Sequence, residues 1–263
     1  MTSGIDPEAN FAVIEQAARA AREGGAQMLF APEMSLLLDR DRQRAATNIQ
    51  TQQDSPYPDR FAALAAEQEL WIAVGGPVRR DDDRLANRQW LFSPSGEIYA
   101  QYDKIHMFDV ELASGETWRE SSAYEPGKEV VTAEDTPLGR LGMTICYDIR
   151  FPALFEELGQ RKCDAIAIPA AFTVPTGRDH WHVLLRARAI EASAFVIAAA
   201  QVGNHADGRT TYGHSLVVDP WGEILLDMGG EQPGLGFVDL DMARVDEVRR
   251  QLPSLANRRP IAK

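Results

Sequence analysis

Cysteine is scarce in this 263-residue chain, which holds two, at positions 146 and 163. Two thiols cannot build a disulfide framework, so the fold must rest on its core. Long hydrophobic runs are missing as well. The longest, such as Ala165–Phe172, reach about eight residues, against roughly 20 for a membrane span. Basic residues are outnumbered: 27 Lys plus Arg against 39 Asp plus Glu leave a formal net charge of −12, which repels nucleic acid and anionic membranes. No secretory signal is evident, and the expectation is a cytoplasmic protein with a small-molecule or protein partner. Several chemistries also lack their signatures. There is no Cys-x-x-Cys, no His-Glu-x-x-His, no glycine-rich phosphate loop after a strand and no Gly-x-Ser-x-Gly elbow. These absences argue against a catalytic metal, a dinucleotide cofactor and a serine nucleophile. His180 and His182 stand two apart on an expected helix and so face different ways. Neither metal nor cofactor is expected.

What is present is ordinary globular material, 44% hydrophobic and 25% charged, and a chain this long buries about three quarters of its unfolded surface. A helix is expected over 7–23, with Asp6 as cap, Pro7 in the first turn and Gly24-Gly25 at the end. Phe11, Ile14, Ala18 and Ala21 recur on one face of it. A short strand, Gln27–Phe30, runs into Ala31-Pro32-Glu33. A helix near Pro58–Glu69 leads to a strand at Trp71–Val74, closed by Gly75-Gly76. Hairpins are expected where Gln89–Phe92 meets Glu97–Gln101 and where Leu216–Asp219 meets Glu223–Asp227. Between them lie strands at Arg140–Ile145, Ala165–Ile168 and Phe195–Ala200. Helices are expected from Pro152 and over Asp179–Ser193. A last strand, Gly236–Leu240, precedes a helix at Met242–Arg250. Pro253–Lys263 reads as an arm lying on a surface, that of another subunit being one candidate. Without linkers or repeats, residues 1–263 read as a single domain of layered α/β type with mixed sheets.

Three segments share one pattern, an apolar strand followed at once by a reactive polar group. Glu33 follows Leu29-Phe30-Ala31-Pro32, Lys104 follows Tyr102-Asp103, and Cys146 follows Gly142-Met143-Thr144-Ile145. Strand ends are where α/β sheets bind ligands. Cys146, between a buried strand and the helix at Pro152, can receive backbone N–H groups that favour its thiolate. Apolar surroundings would push Glu33 toward the range of a general base. Lys104 could supply fixed positive charge to an oxyanion. Read singly, each has a plainer meaning: an inert buried thiol, a capping or loop carboxylate, a solvated surface charge. Cys163, in Arg161-Lys162-Cys163-Asp164, has no such setting and reads as structural.

At these residues the sequence resembles the carbon–nitrogen hydrolase (nitrilase) superfamily. The blocks are Phe30-Ala31-Pro32-Glu33, Tyr102–Asp109 and Ile145–Pro152, in that order along the chain. Phe172–Gly177, His180–Glu191 and Tyr212–Gly222 are similar to its Nit branch, most closely to the deaminated glutathione amidases. The resemblance implies a four-layer αββα sandwich that pairs into a homodimer or higher homo-oligomer, and a triad of Glu33, Lys104 and Cys146 with Glu120 as a second glutamate. It also implies that such proteins begin with a hydrophobic strand before the segment matching Met1–Gly4, so this first strand is expected to be missing or truncated here.

The implied reaction is cleavage of a primary amide to carboxylate and ammonia through a thioester. Glu33 would be the base, and Lys104 with the backbone N–H of Tyr147 would hold the oxyanion. An anionic substrate would need local positive charge, expected from Arg150 and Arg178, with Phe172 as a pocket wall. Alternatives are an ω-amidase acting on α-ketoglutaramate, an N-carbamoyl amidohydrolase or nitrilase, and, from another class, a non-catalytic interaction protein keeping the fold.

Overall fold

The computed structural model describes residues 1–113, 115 and 117–259. Its first helix begins as the sequence predicts. The Asp6 carboxylate accepts the backbone N–H groups of Glu8 and Ala9 at 2.9 and 3.5 Å, and Pro7 opens the first turn. The helices are α1 (Pro7–Glu23), α2 (Arg42–Ala46), α3 (Tyr57–Glu67), α4 (Pro152–Gln160), α5 (Val174–Thr176), α6 (His182–Ala192), α7 (Ala243–Gln251) and α8 (Ser254–Asn257).

A four-stranded sheet runs β1 (Met28–Phe30), β2 (Trp71–Arg79), β3 (Leu85–Phe92), β4 (Ile98–Asp103). The strands β5 (Asp109–Glu111) and β6 (Thr117–Arg119) form a small ribbon, as do β11 (Val202–Asn204) and β12 (Thr210–Tyr212). The larger sheet has six strands: β7 (Val131–Thr136), β8 (Gly139–Met143), β9 (Ala165–Ala167), β10 (Phe195–Ala198), β13 (Leu216–Val218) and β14 (Ile224–Asp227). They lie side by side in the order β14-β13-β10-β9-β8-β7.

Burial divides this set into four layers. Phe11 and Ile14 of α1 and Phe61 and Leu64 of α3 pack on Ile72, Val74 and Phe92 of the smaller sheet. Phe155 and Leu158 of α4 and Leu185 and Ala189 of α6 cover the larger sheet. Ala73, Leu91 and Tyr102 join that second core, so the two sheets face each other. This is the αββα sandwich that the resemblance implies.

Three local expectations change. Gly75 and Gly76 do not close β2 but lie inside it, and the strand continues to Arg79. A Cβ on Gly75 would stand 3.3 Å from the backbone of Pro32 and Met34, so the bare position lets the Glu33 loop lie against the strand. The stretch expected as one helix over 179–193 is two pieces, the end of a π-helical turn at Gly177–Trp181 and then α6, with the short α5 just before them. Gly177 sits so close to the Tyr212 ring that a Cβ would be 2.3 Å from it. Gly236–Leu240 pairs with no strand among the described residues and stays irregular, leaving Phe237 and Val238 exposed. Residues 1–6 likewise carry no strand, and β1 is an edge of its sheet. Ser3 is nonetheless anchored, its N–H donated to Gln201 Oε1 at 3.0 Å and its hydroxyl to Ser35 O at 3.1 Å. The described part of the C-terminal arm lies on its own α4, where Arg258 pairs with Glu156 and Leu255 packs against Gly159. Residues 260–263 of that arm fall outside the described residues.

Candidate active site

The ends of three strands deliver the three reactive groups to one place. Glu33 stands three residues beyond β1, Lys104 directly follows β4, and Cys146 begins a 3-10 turn (Cys146–Arg150) after β8. Lys104 Nζ lies 2.9 Å from Glu33 Oε1. Glu120, in a 3-10 turn after β6, accepts from the same ammonium through both oxygens, at 3.0 and 2.8 Å. Lys104 is 2% exposed and Glu33 5%, so these charges meet largely out of water, where a missing partner would be costly.

Burial alone would raise the Glu33 carboxyl. The Lys104 ammonium, with hydrogen bonds from Lys104, Cys146 and Asn87, outweighs it and holds Glu33 below the usual carboxylate range. The expected upward shift is therefore reversed, because the group is paired. Burial would lower Lys104, but Glu120 and Glu33 keep it well above its ordinary value. Burial and the neighbouring Glu33 charge push the Cys146 thiol well up, against the opposing pull of Lys104. The bias toward thiolate expected from a helix end is thus reversed. The turn after Cys146 is a single 3-10 segment, too short to outweigh burial beside a carboxylate.

Cys146 has φ +46°, a left-handed backbone that costs a β-carbon residue about 1–3 kcal/mol. Its N–H bonds to Pro169 O at 2.9 Å. Asp148, two residues on and fully buried, locks the turn. It accepts from Tyr102 Oη at 2.7 Å, from the Ile145 N–H at 2.9 Å and from the His106 N–H at 3.0 Å. His106 Nδ1 lies 2.7 Å from the same carboxylate, and its ring stacks on Phe151. One acid therefore ties the Cys146 turn to β4 and to the loop carrying Lys104.

Sequence reasoning missed Asp148 as an organising group, although it lies inside a quoted block. It also missed Asn87, whose Nδ2 donates to Glu33 Oε1 at 2.8 Å and to Glu120 Oε1 at 3.2 Å. Nothing in Ala86-Asn87-Arg88 marks that residue, since its meaning arises only when β3 lies beside β4. Gln201 donates to the Glu33 carbonyl at 3.0 Å, and the Ala171 N–H donates to Glu33 Oε2 at 2.8 Å.

Glu33, Lys104, Glu120 and Cys146 all open onto one cavity of about 860 Å³, together with Tyr147 and Phe172. Arg150 and Arg178 do not line it. Arg150 lies behind the wall, its guanidinium 5.9 Å from the Tyr147 ring and 5.2 Å from that of Phe172, and it bonds His180 instead. Arg178 is exposed on the π-helical turn. The cationic side chains on the cavity are Lys104, Arg40, Arg42, Arg119 and Arg209. Apart from Lys104, they come from the start of α2 and the residues just before it, the end of the short strand β6 and the β11–β12 turn, and no sequence pattern singles out these four as pocket cations. Cys163 is buried beneath Gly142, away from the cavity, and burial pushes its thiol up to about 12.

A buried carboxylate, a fixed ammonium and a thiol on a solvent-reachable cavity can support acyl transfer without a metal. Comparisons agree with that chemistry. The carbon-nitrogen hydrolase family matches residues 1–250. The deaminated glutathione amidase of Yersinia enterocolitica is 40% identical over 269 residues, covering 98% of this chain and 91% of that protein. The Caenorhabditis elegans NitFhit structure superposes with a TM-score of 0.86 at 34% identity; 98% of this chain is covered, which spans 63% of that one. A glutamate-to-glutamine mutant of an amidase from Nesterenkonia sp. AN1, solved with acrylamide added at its active-site cysteine, superposes with a TM-score of 0.79 at 25% identity, covering 96% of this chain and 95% of that one.

Proposed function

Because the chain belongs to the carbon–nitrogen hydrolase family and is an amidase, we propose that Cys146 is its nucleophile, acting on a small primary amide that carries anionic groups, deaminated glutathione first among them. The observation that carries this reading is the buried Glu33–Lys104–Glu120 cluster beside the Cys146 thiol on the cavity wall. In the proposed cycle, Glu33 accepts the thiol proton as sulfur attacks the amide carbon. Proton transfer from a raised thiol to a lowered carboxyl is uphill at rest, so the thiolate forms as the new bond does. Lys104 and the Tyr147 N–H hold the oxyanion. Glu33 returns the proton to the departing nitrogen, and ammonia leaves. The thioester remains, and water, deprotonated by Glu33, attacks it to release the carboxylate and restore the thiol. Glu120 is a positioning residue that keeps Lys104 aimed, and no step calls for a cofactor.

An anionic substrate is supported by the cavity's charge. Five cationic and three acidic side chains line it, although the chain as a whole carries −12. Arg42 is the clearest recognition group, since its guanidinium bonds only neutral oxygens of Arg119 and Ser122 among the described residues. Arg209 and Arg119, by contrast, already pair with Asp207 and Glu111.

We read residues 1–263 as one domain that works as a cytoplasmic homodimer; no described helix is long and apolar enough to cross a membrane. Ammonia release from deaminated glutathione, α-ketoglutaramate and a simple nitrile, with intact-mass detection of the acyl-enzyme, tests the reading. Cys146→Ala should abolish both signals. Equal release by variant and parent would sink the nucleophile assignment, and α-ketoglutaramate as the best amide would replace the substrate.

A further inference from the structure

Away from the cavity, three metal-binding side chains converge: His182 at the start of α6, His214 between β12 and β13, and Asp227 at the end of β14. One donor atom from each lies within 4.8 Å of the others, and none of the three lines the cavity. We propose that His182, His214 and Asp227 form a site for a divalent late first-row transition ion, zinc being the case to test, with solvent as the fourth ligand.

The spacing suits that use. Donors about 2.0–2.1 Å from zinc stand about 3.3 Å apart along a tetrahedral edge. Here His182 Nε2 is 3.1 Å from Asp227 Oδ2, and His214 Nδ1 is 2.9 and 3.2 Å from the two carboxylate oxygens. Two imidazoles with one carboxylate favour zinc, copper or nickel over magnesium or calcium, which prefer all-oxygen shells. The histidines would bind as neutral rings, with the proton on the nitrogen facing away from the ion.

Asp227 is oriented by a backbone donor, as metal-ligating carboxylates are, and the two imidazoles are restrained by aromatic packing. The Gly229 N–H donates to Asp227 Oδ1 at 2.9 Å. Tyr212 stacks on His214 at 4.5 Å and meets His182 edge-on at 6.1 Å. His214 is kept at φ +56°, and its carbonyl accepts the Trp181 indole N–H at 2.8 Å. The side chains are 31%, 24% and 33% exposed for His182, His214 and Asp227, which leaves an entry path and room for a water. A bound ion would clip α6, the β12–β13 turn and β14 together. The competing description is a plain hydrogen-bonded trio, with each imidazole donating to Asp227, and that arrangement has no stoichiometric affinity for an ion.

The test uses full-length protein with Cys146→Ala, which removes the cavity thiol as a rival ligand. After dialysis against chelator, zinc is titrated calorimetrically and cobalt by visible absorption. One zinc per chain, a four-coordinate cobalt spectrum, and binding weakened at least about tenfold in each of His182→Gln, His214→Gln and Asp227→Asn are expected. No saturable zinc binding by the parent, or binding that survives the substitutions, overturns the proposal. His182→Gln guards against misfolding, because the side chain is partly exposed at a helix start. If that variant melts like the parent and binds zinc equally tightly, the proposal also fails.

Discussion

Glu33 titrates under two opposed influences, and the outcome fixes a pH signature. Its folded value lies below the ordinary 4.5 because Lys104 and its hydrogen-bond donors outweigh burial. The stabilisation that this ionisation gives is complete above the ordinary value and is lost as pH falls through the lower folded one. The acid limb of kcat/KM should therefore sit below pH 4.5, with urea stability declining in the same window. Asn87→Ala removes one donor from Glu33 and one from Glu120. It should move the acid limb upward and lower kcat about 10-fold or more, a hydrogen bond to charge being worth about 1.5–3 kcal/mol. A limb left in place would show that Asn87 only packs. Cys146 has the opposite sign. Its thiol is raised well above 9.0, so the iodoacetamide reaction rate of free enzyme should keep climbing through pH 9. A plateau near neutrality would mean a resting thiolate.

At the scale of elements, the site depends on backbones that approach closely. Gly127 donates its N–H to the Lys104 carbonyl at 2.8 Å, and a Cβ there would lie 2.1 Å from Asp103 O. Backbone must move to admit a methyl group, so Gly127→Ala should destabilise by about 1–3 kcal/mol and displace Lys104. Thermal melting and kcat together check this, and an unchanged kcat would show that the strand end can yield without moving its lysine. Elements built from local pattern were legible in sequence. The cap and stripe of α1 and both hairpins appear where expected, because caps, turns and periodic burial act within a few residues. The interior of β2 was not legible, since Gly75-Gly76 reads as an end until the Glu33 loop is seen against it. Gly236–Leu240 has strand composition, but a strand needs a partner, and that is a property of the sheet.

For the whole molecule, the proposed dimer needs a face that can meet a second copy. The outer side of α6 leaves Val183 60% and Ile190 42% exposed, and Ile190 packs at Gly222, beside Trp221 at 49%, which gives exposed apolar side chains on this side of the molecule. If this face is the contact, Val183→Glu should shift the sedimentation mass from dimer to monomer with the fold retained. A dimer that survives the change would move the interface elsewhere. The sequence by itself determined the layered architecture and the low dependence on cysteine, and it marked Glu33, Lys104 and Cys146 as candidates, because each stands in a strand-end block readable over a few residues. Only the tertiary structure decided in which direction its neighbours shift that trio, that Asn87 and Asp148 hold it, and that arginines at 40, 42, 119 and 209 rather than 150 and 178 face the cavity. The physical reason is distance. Coulombic and hydrogen-bond energies depend on separations of a few ångströms between groups many residues apart in the chain, and folding alone sets those separations.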